Sequence, residues 1–272
     1  MIFVGTVTER IPGAKYAAQL AFAELTLRPP LPRAPTLRRQ RHEQPESVAL
    51  ALRAPRSALC SQRGPLRFDD ALEAGFAWLL AAADALDARA VVLPTPSDLT
   101  PGVRDSELLA AYAARLPRSE KRHWVWEPSG AWERERAEAL SAELGLVLAF
   151  DPLIDPRPAG ATAYARLRAL GARRSFSQAA LEQALVAVHS DEGDAFIAID
   201  APRSVQHALV LRQLIAGALP MLSPNDAAAD DDDGDDFDLG DETDFDDAEL
   251  DDDAEPDDDD ADSDDAEPDD RA

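Results

Sequence analysis

The sequence contains few residues that could crosslink the chain or bind a metal. Its 272 residues include one cysteine and four histidines. A single cysteine, Cys60, cannot form an internal disulfide, and the scattered histidines lack the Cys/His spacing of a structural zinc site. We therefore predict neither a disulfide framework nor a metal site.

Long apolar runs are also absent. No stretch approaches the roughly 18 residues that a membrane span requires, and Met1 leads into Ile-Phe-Val without the basic segment that opens a signal peptide. No Gly-x-Gly-x-x-Gly motif follows a predicted strand, so nothing indicates a dinucleotide, and we predict no cofactor. These absences favour a soluble, cytoplasmic protein without a membrane partner.

The negative charge is concentrated at one end of the chain. Residues 226–272 contain 24 Asp and 4 Glu against one Arg, a formal charge of −27, whereas residues 1–225 carry +1. Such a segment cannot bury enough apolar area to offset its chain entropy. We predict a folded domain over 1–222 and a disordered acidic tail over 223–272. Two interpretations of the tail stay open, a solubilising segment or one that binds a basic protein partner, and in both cases it should repel nucleic acid.

The folded part alternates short apolar runs with segments of helical period, a pattern typical of βα units. Eight runs predict strands over 2–6, 22–27, 48–53, 90–94, 123–127, 146–151, 162–167 and 195–200. Eight strands with about eight helical segments in some 220 residues indicate a compact (β/α)8 TIM-like barrel. A doubly wound open sheet is the alternative.

Several helix boundaries can also be predicted. Helices are expected over 70–86, 131–144, 177–188 and 204–214. Asp70 and Glu73 resemble a capping box at the start of the first of these. Pro32 and Pro35 predict that the helix before the third strand begins near Thr36, because proline is not tolerated inside a helix.

Ionisable residues occur near the ends of six strands. Because side chains alternate across a strand, they share the inward face with small or aromatic residues. The set comprises Glu24, Arg53, Glu127, Asp151, Arg166 and Asp200. The C-terminal strand ends of a barrel meet at one mouth, where barrel enzymes build their sites. We therefore predict that these groups converge there.

The chemistry of this set leaves two interpretations open. The arginines Arg53, Arg56 and Arg166 could contact an anionic ligand, with Glu24, Glu127 and Asp151 orienting them or acting as acid and base. A purely structural ion-pair network would show the same near balance of charge. Likewise, the arginines of the seventh βα connection could hold phosphate or form an exposed basic patch; they are Arg166, Arg168, Arg173 and Arg174.

The order of motifs resembles that of the YecE-like proteins, a bacterial family of TIM barrels (DUF72). Residues 50–56, Leu-Ala-Leu-Arg-Ala-Pro-Arg, resemble the family's Phe-Ala-Val-Lys-Ala-Pro-Arg strand. Residues 21–26 are similar to its Val-Glu-Ile-Asn strand, and 91–96 to its Phe-Gln-Leu-Pro-Pro segment. The resemblance spans residues 1 to about 217. It implies a bacterial TIM barrel with a pocket at the mouth, in a family without a settled reaction.

The resemblance adds two residues to the predicted pocket. Glu127 with Trp132 is similar to the family's Glu-Phe-Arg-x-x-x-Trp segment, although Ser129 replaces its Arg. His207 stands where the family's closing helix carries Asn. We thus expect Trp132, Asp200 and His207 to join the arginines in binding a small anionic or polar metabolite. The alternative is a catalytically silent barrel that acts as an interaction protein through its acidic tail; whether the chain is an enzyme stays open.

Overall fold

Eight parallel strands close into a barrel in the computed structural model, which describes residues 1–169, 175–189 and 193–218. The barrel strands are β1 (Ile2–Thr8), β2 (Phe22–Leu25), β3 (Ala49–Arg53), β6 (Ala90–Pro94), β7 (His123–Glu127), β8 (Val147–Phe150), β9 (Ala163–Arg168) and β10 (Ala195–Asp200). Neighbours in sequence are neighbours in the barrel, and β10 closes it against β1. The predicted barrel is confirmed, and the open sheet is excluded.

Seven helices accompany the strands in the described part of the chain. They are α1 (Ala14–Gln19), α2 (Ala34–His42), α3 (Asp70–Ala85), α4 (Val103–Ala113), α5 (Arg134–Leu144), α6 (Gln178–Val188) and α7 (Ser204–Ala218). A 3₁₀ helix, Arg56–Ala58, and a small hairpin of β4 (Cys60–Ser61) and β5 (Gly64–Pro65) follow β3. Across the described ranges, none of these helices has the length and apolar character needed to cross a bilayer.

The inside of the barrel is filled by aromatic rings and alanines. Phe22, Tyr164 and Phe196 are fully buried there and contact one another, with ring centroids 5.4–6.4 Å apart. The remaining inward positions are mostly small; they include Ala49, Ala51, Ala90, Ala149 and Ala198. A few large side chains next to many small ones thus fill the inside of the barrel.

A second apolar layer lies between the barrel and the helices. Strand residues of the opposite parity, such as Leu50 and Leu52 of β3, pack there against α3 through Leu79. The fit is tight where α3 crosses the 3₁₀ helix, because a Cβ on Gly75 would lie 2.0 Å from the Ser57 carbonyl oxygen. Only glycine therefore allows α3 to approach the loop after β3 this closely.

The predicted start of α2 and the predicted N-cap of α3 differ from the structure, and α5 begins at Arg134 rather than at Ala131. Helix α2 begins at Ala34, not near Thr36, because Pro35 occupies the first turn, where its missing N–H needs no partner. The N-cap of α3 is Asp69, whose carboxylate accepts a hydrogen bond from the Leu72 amide, and not Asp70.

The connection from β8 to β9 contains turns in place of a helix. Residues 151–162 form no helical turn of three residues or more. Three prolines, Pro152, Pro156 and Pro158, account for this, because each removes a backbone donor and excludes helical geometry from the residue before it. The expected number of about eight helical segments was therefore one too high for the described residues.

The predicted acidic tail, 223–272, lies outside the described residues. The same holds for Arg173 and Arg174, which the sequence placed in an anion site or a basic patch.

Candidate functional site

Charged side chains from five strands meet at the C-terminal end of the barrel. Strand register brings them together. Glu24 pairs with Ala51, which lies two residues before Arg53 on the same face of β3, and Asp200 pairs with Arg168. Ion pairs then link β2, β3, β7, β9 and β10; the members are Glu24, Arg53, Glu127, Arg166, Arg168 and Asp200. We call these six residues the mouth network. It contains three guanidinium groups and three carboxylates, so its formal charges balance.

Glu127 is the anionic centre of the mouth network. Its carboxylate contacts the guanidinium groups of Arg53 and Arg168 closely, and Arg166 Nη1 lies 3.3 Å from Oε1. The Glu127 side chain is only 8% exposed. A buried carboxylate is tolerated when charged hydrogen-bond donors replace its water, and here three of them do so.

Arg166 is the cationic centre. Its Nη2 lies 3.1 Å from Glu24 Oε1 and 3.0 Å from Asp200 Oδ2, while Nη1 contacts Glu127. Glu24 has no exposed surface, and Tyr164 Oη donates a 2.7 Å hydrogen bond to its Oε2. The two buried centres are therefore crosslinked, and each depends on the other for charge compensation.

The protonation of the network follows from burial. Burial raises the pKa of Tyr164 well above its usual value, and the charge of Glu24 adds to this, so the hydroxyl stays protonated and donates. Burial also lowers the pKa of Arg53, as does the charge of Arg166. The pKa of Arg168 is lowered by burial and by Arg53. A guanidinium group nevertheless remains charged in proteins, so the three cations persist at neutral pH.

A cavity of about 310 Å³ opens beside the mouth network, between the ends of β7, β8 and β9 and the start of α5. Its charged lining consists of Glu127, Arg134, Asp151, Asp155, Arg166 and Arg168. Its apolar lining includes Trp132, Leu148, Phe150 and Ile154. Small-molecule sites typically have volumes of about 300 to 1,000 Å³ and combine apolar walls with a few polar groups. This cavity therefore has the size and lining of a site for a small metabolite.

The predicted residues Trp132 and Asp151 line this cavity. The Trp132 indole N–H donates to the Leu99 carbonyl oxygen, and its ring stands edge-on to Trp126 at 4.9 Å. Asp151 accepts a hydrogen bond from the Leu153 amide, which holds the turn after β8. Both side chains are thus placed by contacts outside the cavity that they line.

Two predicted residues lie apart from the mouth network. Arg56 is exposed on the 3₁₀ helix, and its described electrostatic neighbour is Cys60. His207 packs edge-on against Phe176, whose amide donates to His207 Nε2 at 3.2 Å. That bond fixes the proton of the neutral ring on Nδ1, and burial lowers the pKa of this imidazole. These contacts of His207 are therefore made with the segment just before α6.

The predicted site residues do not include Tyr164 or Arg134. Tyr164 could have been found, because the alternation of β9 puts it inside and a buried tyrosine hydroxyl needs a partner such as Glu24. Arg134 begins α5 and lies 3.5 Å from Asp155. No motif in the sequence indicates that this helix start reaches the cavity.

Comparisons with known proteins show what the fold is similar to. No protein-family model and no curated protein matches this chain. A DUF72 family protein from Enterococcus faecalis is 14% identical, with a TM-score of 0.59 over 86% of this chain and all of the other. One from Thermotoga maritima is 11% identical, with a TM-score of 0.56 over 79% of this chain and 99% of the other.

A barrel enzyme is also similar in structure. L-ribulose 3-epimerase is 14% identical, with a TM-score of 0.51 over 81% of this chain and 95% of the other. At such identities the comparisons establish the fold and not the reaction. The chain therefore has a TIM-barrel fold shared with the solved DUF72 family proteins, in agreement with the resemblance found in its sequence.

Proposed function

We propose that this chain is a bacterial, cytoplasmic barrel protein of the DUF72 type that binds a small anionic or polar metabolite at the C-terminal mouth of its barrel. The observation that carries the proposal is the pair Arg166 and Arg168, two guanidinium groups on one strand that both line the cavity. Planar guanidinium groups bind carboxylates and phosphates through paired hydrogen bonds.

The hydrogen-bond donors of the mouth network support the binding of an anion. Each guanidinium has five N–H donors, and the three carboxylates share their six oxygens among three such groups. Arg166 Nε is buried without a hydrogen-bond partner among the described residues. Arg168 is 39% exposed although it contacts Glu127, so part of its guanidinium remains accessible. An incoming anion can therefore bind Arg168 without dismantling the buried pairs.

The carboxylates have different places in this arrangement. Glu24 is fully enclosed and contacts Arg53, Arg166 and Tyr164, so its role is to orient the arginines. Glu127 and Asp151 line the cavity, where a bound molecule can reach them. We assign acid–base chemistry to these two and leave the reaction unassigned, since the site contains no further group that selects one.

The test is a thermal-shift screen of the full chain at low salt against phosphorylated sugars, nucleotides and carboxylic acids. A ligand at about a hundred times its Kd adds about 2.7 kcal/mol to the free energy of unfolding. For a domain of this size, that raises the Tm by about 5 to 10 °C. Arg168→Ala should abolish the shift, because it removes the accessible guanidinium, while Arg53 and Arg166 remain to compensate Glu127.

The matched control is Arg38→Ala, which removes an exposed arginine from α2, away from the mouth. It should leave the shift unchanged. A screen without hits, or a hit that survives Arg168→Ala, would contradict the proposal.

For residues 223–272 we propose a basic protein partner, because the −27 charge of residues 226–272 is the strongest electrostatic feature of the chain. Binding of a basic protein, measured by titration calorimetry, should disappear when residues 223–272 are deleted and should weaken steeply with salt. Arg168→Ala should not affect it. Binding that survives the deletion would refute this proposal and would leave the metabolite site untouched.

A further inference from the structure

The cavity beside the mouth network is chemically two-sided. Arg166, Arg168 and Glu127 line it from β7 and β9, and apolar side chains line it from β8, from α5 and from the segments before α5 and after β8. This division has consequences for the class of ligand, beyond the requirement for negative charge.

The apolar wall is held rigidly from outside the cavity. Trp132 is fixed by its bond to Leu99 and by its edge-on contact with Trp126. Leu148 and Phe150 belong to β8 and are each 3% exposed, so they form a packed floor. Apolar surface preformed in this way can bind a ligand without the entropy cost of ordering side chains.

One residue of this wall is unusual. Ile154, in the turn after β8, lines the cavity and yet is 69% exposed. A single exposed aliphatic side chain is ordinary on a protein surface. Here it lines the same cavity as buried apolar residues, where a hydrocarbon group packed against them would remove apolar area from water.

The charge of Arg134, which also lines the cavity, is already compensated. Arg134 lies 3.5 Å from Asp155, donates to the Pro156 carbonyl oxygen, and has its guanidinium 6.0 Å from the centroid of the Phe150 ring. Arg134 therefore does not require a second negative charge on the ligand. Accessible positive charge lies at the Arg168 end.

We infer that the ligand is an amphipathic anion, in which a carboxylate or phosphate bound by Arg166 and Arg168 carries an alkyl or aryl group that packs between Trp132 and Ile154. The inference rests on the proposed function and deepens it by naming the ligand class. The cavity volume of about 310 Å³ suits a small molecule of this kind.

The experiment compares acetate, butanoate and hexanoate, with inorganic phosphate as a probe without an apolar part, on the full chain by titration calorimetry and ligand-observed NMR. Each fully buried methylene strengthens binding about fourfold. Hexanoate has four more methylenes than acetate, so burial of half of them predicts about fifteenfold tighter binding. Affinity should therefore rise along the series.

Ile154→Ala should weaken hexanoate binding about threefold more than acetate binding. Val186→Ala, at a 78% exposed position of α6, is the matched control and should change neither. Equal affinity along the series, or a preference that persists in Ile154→Ala, would overturn the inference. If acetate and phosphate still bind in an Arg168-dependent way, the proposed function survives; if no anion binds, the proposed function itself fails.

Discussion

Neutralising Glu24 should destabilise the whole barrel. Glu24→Gln keeps the size of the side chain and an oxygen that can accept from Tyr164, but removes a charge that has no exposed surface. Arg166 Nη2, 3.1 Å away, and Arg53 Nη1, 3.7 Å away, then share two carboxylates instead of three with Arg168. Removing one partner of a buried ion pair costs about 3 to 5 kcal/mol.

The assay is urea denaturation at neutral pH together with a thermal scan. A loss of 3 kcal/mol or more corresponds to a Tm decrease of at least about 6 to 12 °C for a domain of this size. Loss of the charge also leaves the network with a net positive charge at the mouth.

The control is Glu73→Gln, which breaks an exposed pair with Arg115 whose two N···O distances are both 2.7 Å. Exposed pairs contribute little to stability because water and salt screen them. Glu24→Gln should therefore be far more destabilising than Glu73→Gln. Equal effects would refute the reasoning and would show that the buried charge of Glu24 does not hold the mouth network together.

Three further predictions concern other parts of the fold. Tyr164→Phe should lower the free energy of unfolding by about 1 to 3 kcal/mol in urea denaturation, because Glu24 Oε2 loses its donor; an unchanged midpoint would contradict this. Burial lowers the pKa of His123, so the fold favours its neutral form. The free energy of unfolding should fall as the pH drops below about 6.5, the pKa of histidine in the unfolded chain. His123→Gln should make that fall smaller in denaturation curves between about pH 7.5 and about pH 5.5. An unaltered pH dependence in the variant would show that His123 does not cause the fall. Gly75→Ala should lower the free energy of unfolding by at least about 1 to 3 kcal/mol, because the new Cβ clashes with Ser57. Gly217→Ala, where a Cβ would have nothing within 4 Å, should be neutral or stabilising by up to about 1 kcal/mol. Equal effects in thermal scans would show that Ser57 moves away without a cost in stability.

The barrel and the inward direction of its charged residues could be predicted from the sequence because strand periodicity is a local property. Alternation alone puts Arg53 on the face opposite Leu50 and Leu52, and the structure shows those leucines in the outer layer. Three closely spaced prolines in the sequence also indicate that no helix follows β8, although the regular repeat of βα units favours one there.

The pairing of these charges could not be predicted. Which carboxylate binds which arginine depends on strand stagger and on rotamers. Nothing in the local sequence therefore indicates that Glu127 contacts three arginines. Arg56 follows Arg53 closely in sequence, but the chain turns into a 3₁₀ helix there and leaves Arg56 exposed. Similarly, no spacing in the sequence indicates that His207 contacts Phe176.

Because a turn replaces the helix between β8 and β9, the site consists of two parts whose sequences can change separately. Asp151, Ile154 and Asp155 belong to this proline-rich turn, whereas every member of the mouth network is carried by a barrel strand. Exchanging residues 152–158 would therefore alter the wall that faces a bound molecule and keep the anion contacts in place. For protein engineers, this segment is the point at which ligand preference can be redesigned independently of barrel stability.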